Sequence, residues 1–241
     1  DSLLDQHIPV ACQVDFFYLD YVPSWERVHI NVHFLAVIGK EENRYIISDA
    51  YFPEIVTAQK SSLEKGRFPG GNMSPDGFLF HVKNTPSPNI DLSPAILKGI
   101  RKACFNMLKI PIPFLGIKGM RLMAKKLPEW PKFSRDTEHL SHEIMKINIL
   151  LEDQGTGGAG FRFMYATFLQ QAATITGISA LKGFSEELMI IGDGWREISL
   201  FAARIGKFRD LGPERLRQLG DMISNMADAE ERFFHSLSKV V

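Results

Sequence analysis

From Asn31 to Ala50 the chain passes from an apolar run to a short polar break and back. His33 to Ile38 is mostly apolar, Gly39 to Asn43 is polar, and Arg44 to Ser48 is β-branched and aromatic, closing at Asp49. This pattern predicts a hairpin with arms Val28–Gly39 and Arg44–Ser48. With the turn centred near Glu41–Glu42, cross-strand partners have residue numbers summing to about 83. His33 is then opposite Ala50 and diagonal to Ser48, with Asp49 beside that pair.

The same reading extends along the chain. Ile8 to Leu19 is nearly continuous in apolar residues and predicts a buried strand, and Gly77 to Lys83 predicts another. Glu54 to Gly66 reads as a helix, followed by a loop at Pro69-Gly70-Gly71-Asn72. The first ninety or so residues therefore read as an antiparallel or mixed sheet. Asn84-Thr85-Pro86-Ser87-Pro88-Asn89 is a proline-rich break and the expected boundary between domains 1–88 and 89–241. Beyond it the apolar period lengthens to that of helices. Ser93 is read as an N-cap with Pro94 at the first helical position, and Ile96, Ile100, Ala103 and Met107 form one stripe ending near Leu108. Further helices are predicted over Ile117–Lys126, Thr137–Gln154, Gly160–Thr176, Glu186–Arg204 and Pro213–Leu237. The class is α+β, with a β-rich first part and an all-helical second part.

Composition narrows the function classes. Lys+Arg and Asp+Glu both count 28 among 241 residues, so net charge gives no footprint for a nucleic-acid partner. No apolar run is long enough to span a membrane, and no secretory signal opens the chain. Cys12 and Cys104 are far apart in unlike contexts and suggest no disulfide framework, which points to a reducing cytoplasm.

Candidate chemistry centres on His33 and Asp49. An imidazole oriented by a carboxylate is what a Cys-His or Ser-His nucleophilic site requires. The plainer alternative is a partly buried histidine and an aspartate closing a turn. His29, four residues earlier, would share a strand face with His33, but a third metal ligand is not evident, so no metal or other cofactor is expected. Cys12 lies inside a predicted strand and lacks the helix N-terminal setting that activates a thiol; Cys104 lies on the core side of a helix. Gly155-Thr156-Gly157-Gly158-Ala159-Gly160 has four glycines in six residues and opens a helix carrying Arg162 and Tyr165. Such a loop can offer backbone N–H groups to an anion, or it can be a tight helix–helix connection. Gly157, Gly158, Arg162 and Tyr165 are the candidate substrate-binding residues, with Glu152 beside them. Trp195 and the Phe161, Phe163, Tyr165, Phe168 set read as core, and Glu230-Glu231-Arg232 as a solvated helix face.

Two blocks resemble a known family. Val14-Asp15-Phe16-Phe17-Tyr18-Leu19 with Tyr21-Val22-Pro23, then His33-Phe34, Gly39 and Asp49, is similar to the later part of the N-terminal domain of the butirosin biosynthesis protein H family. Gly155-Thr156-Gly157-Gly158 with Phe161-Arg162, Tyr165 and Phe168-Leu169 resembles the uncharacterised helical domain that commonly follows it.

This resemblance implies a papain-like fold, incomplete here, used for acyl transfer. An acyl or aminoacyl group would pass from a carrier-protein thioester to a small-molecule amine acceptor through a Cys-His-Asp site. His33 and Asp49 match its last two positions. The family's nucleophilic cysteine lies on a helix well upstream of the Asp15-Phe16-Phe17-Tyr18 segment, and Cys12 is not at the matching position. An acyl carrier protein is the expected macromolecular partner; Lys118, Arg121, Lys125 and Lys126 would cluster on a helix face toward it. The rival readings are a cysteine peptidase or amidase on the same fold, and a non-catalytic binding module that has lost the nucleophile.

Overall fold

The computed structural model describes residues 1–71, 74–84, 89–153 and 156–241. The proline-rich break at 85–88, together with Asn72, Gln154 and Gly155, lies outside the described residues. The chain divides into two compact units, Asp1–Asn89 and Ile90–Val241. The class is α+β.

In the first unit, five strands form an antiparallel sheet in the order β4-β3-β2-β1-β5. They are β1 (Val10–Val14), β2 (His33–Glu41), β3 (Arg44–Ser48), β4 (Val56–Gln59) and β5 (Leu79–Phe80). One helix, α1 (Lys60–Arg67), follows β4 directly. Alternate residues of β1 and β2 (Val10, Cys12 and Val14; Leu35 and Val37) face a core closed by Phe16, Leu19, Ile47, Ala58 and Leu63.

Three expectations change here. The strand predicted over Ile8–Leu19 ends at Val14, because Asp15 turns its carboxylate to the Phe17 N–H and caps a short 3-10 turn, Phe16–Tyr18. The helix predicted from Glu54 starts only at Lys60. Before it, Val56 and Thr57, both β-branched, pair with Ile47 and Ile46 and add an edge strand to the sheet. The strand expected over Gly77–Lys83 shrinks to Leu79–Phe80, which pair with Cys12 and Ala11.

The hairpin forms, with a different register. Glu41 pairs with Arg44 across a two-residue turn at Glu42–Asn43. Val37 pairs with Ile47 but Gly39 with Ile46, so Ile38 is an extra, bulged residue. His33 is therefore not opposite Ala50; it pairs with Val14 on β1.

The described residues of the second unit carry no strand. Its α-helices are α2 (Ser93–Leu108), α3 (Gly116–Lys126), α4 (Thr137–Asn148), α5 (Arg162–Thr176), α6 (Ala180–Lys207) and α7 (Pro213–Leu237). Ser93 is not the N-cap: Asp91, two residues earlier, accepts its N–H at 2.9 Å. Helix α4 gives way at Ile149 to a single π turn, Ile149–Asp153. Helix α6 begins six residues before the expected Glu186. Gly183 and Ser185 weaken the helical pattern there, yet Ser185 is buried and donates to the Ala166 carbonyl of α5 at 2.7 Å. The core is one cluster running through Ile144, Leu169, Leu188, Ile198, Leu219 and Phe233. Among the described residues, no helix is long and apolar enough to cross a membrane.

Candidate functional site

The strand geometry brings His33 and Asp49 together despite the shifted register. His33 begins β2, and Asp49 is the first residue beyond β3. His33 Nε2 lies 2.9 Å from Asp49 Oδ2. Asp49 is held on every side: Oδ2 also accepts from the Tyr21 hydroxyl at 2.7 Å, and Oδ1 accepts from the Tyr51 N–H at 3.0 Å. Burial pushes the Asp49 carboxyl up, and the hydrogen bonds from His33, the Tyr51 N–H and Tyr21 outweigh it, so the carboxyl stays below the usual carboxylate range. Burial, and then the bond to Asp49, push the Tyr21 phenol up, so it remains the donor.

An ionised carboxylate only accepts, so Nε2 carries the imidazole proton and Nδ1 is the basic nitrogen. The Asp49 side chain is fully buried, whereas that of His33 keeps 17% exposure. Phe16 packs edge-on against the His33 ring, with centroids 5.0 Å apart, and holds a second edge contact with Tyr51 at 5.1 Å. The cap at Asp15 therefore serves the dyad indirectly, by setting Phe16 beside the imidazole. Such a group can take a proton from a thiol, hydroxyl or amine and return it.

His29 does not join His33. It sits outside β2, where its Nδ1 meets Asp15 Oδ2 at 2.7 Å and its ring stacks on Phe17. Among the described residues, no three His, Cys, Asp or Glu side chains gather around a possible metal. Cys12 and Cys104 are both buried, and burial pushes each thiol up. Cys12 lines a cavity of about 330 Å³ under the sheet with Val10, Val37, Leu63 and Arg67, and neither His33 nor Asp49 lines that cavity.

The glycine-rich loop is a left-handed run. Gly157, Gly158, Ala159, Gly160 and Phe161 all have φ between 50° and 86°. Its anion is internal: the Ala159 N–H donates to Glu152 Oε1, and a side chain at Gly158 would meet Glu152 Oε2. A side chain at Gly157 would strike Met164. Gly157 and Gly158 thus serve the loop's own packing, while Arg162 and Tyr165 line a second cavity, of about 350 Å³.

That cavity exposes a residue misread from the sequence. Glu230 is not on a solvated face; it is 1% exposed. Its Oε1 accepts from Arg162 Nε at 2.8 Å and from the Trp195 indole at 2.5 Å, and the Arg162 guanidinium lies over the Trp195 ring. The signal was periodicity: Glu230 is three residues past Ala227 and four before Phe234, on the buried stripe of α7.

The basic stretch on α3 is partly consumed within the chain. Arg121 pairs with Asp228 and Glu231 at 2.5 and 2.7 Å, and Lys126 pairs with Glu129 at 2.7 Å.

Residues 1–50, which contain His33 and Asp49, match the family described as Butirosin biosynthesis protein H, N-terminal. Residues 61–237 match the family described as Domain of unknown function (DUF4872). No curated protein matches the chain. The second match covers well over half of the 241 residues, and the chain belongs to that family, behind a segment similar to the N-terminal domain of butirosin biosynthesis protein H.

Proposed function

We propose that this butirosin biosynthesis protein H-like chain carries the base and the orienting acid of an acyltransferase of natural-product biosynthesis. The observation that carries the reading is the His33–Asp49 pair at 2.9 Å, with Asp49 fixed by Tyr21 and the Tyr51 N–H. In this reading the attacking thiol comes from upstream of Asp1, where the resemblance puts the family's cysteine; Cys12 and Cys104 are themselves buried, and burial pushes both thiols up. In this reading residues 1–88 contribute to the catalytic domain and residues 89–241 form the helical domain.

His33 Nδ1 takes the thiol proton, and the thiolate attacks the carbonyl of a carrier-protein thioester. The carrier thiolate leaves and is protonated from His33, giving an acyl-enzyme thioester. A primary amine on a small acceptor then attacks. His33 accepts its proton, the enzyme thiolate departs, and an amide is released. Asp49 keeps Nε2–H facing it throughout and stabilises the imidazolium that forms at each transfer.

The test uses the protein together with whatever precedes Asp1 in its gene. Incubated with an acyl-pantetheine thioester, it gains the mass of one acyl group, and a primary amine discharges that adduct. His33→Ala gains none. Discharge by water as fast as by amine would assign an amidase instead. An unmodified protein would overturn the acyl-enzyme and favour the binding-module reading, which the two buried cysteines support.

A further inference from the structure

The cavity in the helical unit combines a volume of about 350 Å³ with two polar atoms that the protein leaves unanswered. Glu230 Oε2 and Tyr165 Oη are both buried without a hydrogen-bond partner, although Glu230 Oε1 is engaged twice. An orphaned buried acceptor costs about 1–3 kcal/mol, so such atoms mark positions that a further group completes. Both belong to side chains lining the cavity, whose other walls include Met107, Leu188, Phe161 and Phe234. The volume falls in the range of small-molecule sites, which pair apolar walls with few polar groups. The backbone adds a second sign. Phe161, a bulky residue, is held at φ 71° with its side chain half exposed at the cavity. Strain of that kind persists where the surroundings impose it.

The geometry points to a binding site for a small molecule with an apolar body and one neutral hydroxyl. A carboxylate oxygen can only accept, so the ligand must donate to Glu230 Oε2. A hydroxyl that donates there keeps lone pairs for a second donor, and Tyr165 is another lining residue with an unpartnered polar atom. Arg162 already balances the charge of Glu230, so a cationic ligand would bring an unpaired charge into a buried place, and a neutral donor would not. The site is built wholly from residues of the helical unit. It stands or falls apart from the acyl-transfer reading, because its test measures binding and no reaction.

The probe is 2-phenylethanol, titrated into the full chain by ligand-observed NMR beside ethylbenzene and 2-phenylethylammonium. The alcohol binds saturably, and ethylbenzene, which lacks the donor, binds about tenfold more weakly. Tyr165→Phe weakens the alcohol about fivefold without lowering Tm, the loss of one neutral hydrogen bond. Ala103→Leu, which fills the cavity from α2, abolishes binding with the fold retained by circular dichroism. Absence of saturable binding by the alcohol, or binding indifferent to Ala103→Leu, would overturn the site. Tighter binding of the ammonium than of the alcohol would overturn the neutral-donor assignment.

Discussion

Asp49 and Glu230 are both almost wholly buried, at 3% and 1% exposure, and each receives a nitrogen from a basic side chain. They finish their hydrogen bonding differently. Asp49 has both oxygens engaged, one by His33 and Tyr21 and the other by the Tyr51 N–H. Glu230 places Arg162 and Trp195 on one oxygen and leaves the other, also buried, without a partner. A fully engaged carboxylate has a fixed direction and a settled charge, which suits it to orient an imidazole. A half-engaged one has an acceptor in reserve, which suits it to recognise a donor. Substitutions that separate orientation from recognition therefore give unlike outcomes in the two units.

The largest effect is expected at Asp49. Asp49→Asn keeps the shape but offers a neutral side chain that no longer fixes the Nε2–H tautomer. Acyl transfer is expected to fall about a thousandfold in kcat with the fold retained, measured with the acyl-pantetheine donor. The same substitution reads the pH linkage. The Asp49 carboxyl is lower in the folded chain than its ordinary value, so its stabilisation is present above about pH 4. That stabilisation is lost as pH falls through the lowered folded value. The stability gap between the native chain and Asp49→Asn is therefore wide at pH 7 and narrows as pH falls below about 4. A gap that widened in acid would reverse the sign.

Glu230→Ala is the counterpart, and its effect appears in stability. It strands the Arg162 guanidinium, whose side chain is only 17% exposed, and removes the acceptor of the Trp195 indole. Loss of one partner from a buried pair costs about 3 kcal/mol or more. Thermal unfolding of Glu230→Ala is expected well below that of Glu231→Ala, because Glu231 pairs with Arg121 in the open, where ion pairs contribute about 1 kcal/mol or less.

This contrast also explains what the sequence showed and what it concealed. The His33–Asp49 meeting was legible because both residues flank the open end of one hairpin. Side chains reach across the register error, which is two at the Glu41–Arg44 turn and, past the bulge at Ile38, only one at Ala36–Ser48 beside the open end. Helix α7 was legible to its last residue, from Pro213 at the start to Leu237. Val56–Gln59 was concealed because it is only four residues long: the β-branched Val56 and Thr57 hint at a strand, and pairing with β3 makes it one. Glu230 was concealed by its neighbours: beside Glu231 and Arg232 it looks solvated, and only the count from Ala227 and Phe234 places it inside. The glycines drew attention to this segment, but their own part is in the packing of the loop. Gly157 and Gly158 accommodate Met164 and Glu152, while Arg162 and Tyr165 face the cavity.

Tyr21 sharpens the first half of the comparison. It appeared in the sequence as part of Tyr21-Val22-Pro23 with no role attached, and the fold sets its hydroxyl on Asp49. Tyr21→Phe removes one of three hydrogen bonds that hold the carboxylate low. A hydrogen bond to a charged group contributes about 1.5 kcal/mol. The expected readout is a severalfold loss in kcat at neutral pH with KM unchanged, and an acid limb of the pH–rate profile moved to higher pH. A positional role requires the second signature. A uniform loss at every pH would reduce Tyr21 to a packing residue.

Tyr165→Phe probes the other half and has the smallest expected effect. Tyr165 and Tyr21 are both partly buried phenols, and they differ in their hydrogen bonding: the Tyr21 hydroxyl has a partner and the Tyr165 hydroxyl has none. Removing a hydroxyl that is hydrogen-bonded in the folded state sacrifices that bond, whereas removing an orphan relieves its desolvation penalty. The ring stays stacked on Phe168, with centroids 5.5 Å apart, and keeps its contact with Phe234. In the empty chain Tyr165→Phe should therefore leave Tm unchanged or slightly raised, while Tyr21→Phe lowers it. Saturation with 2-phenylethanol should stabilise the native chain more than Tyr165→Phe, because the hydroxyl then has its partner. A fall in Tm for Tyr165→Phe in the empty chain would mean that the hydroxyl is already satisfied, and the cavity would keep only Glu230 Oε2 as an unanswered atom.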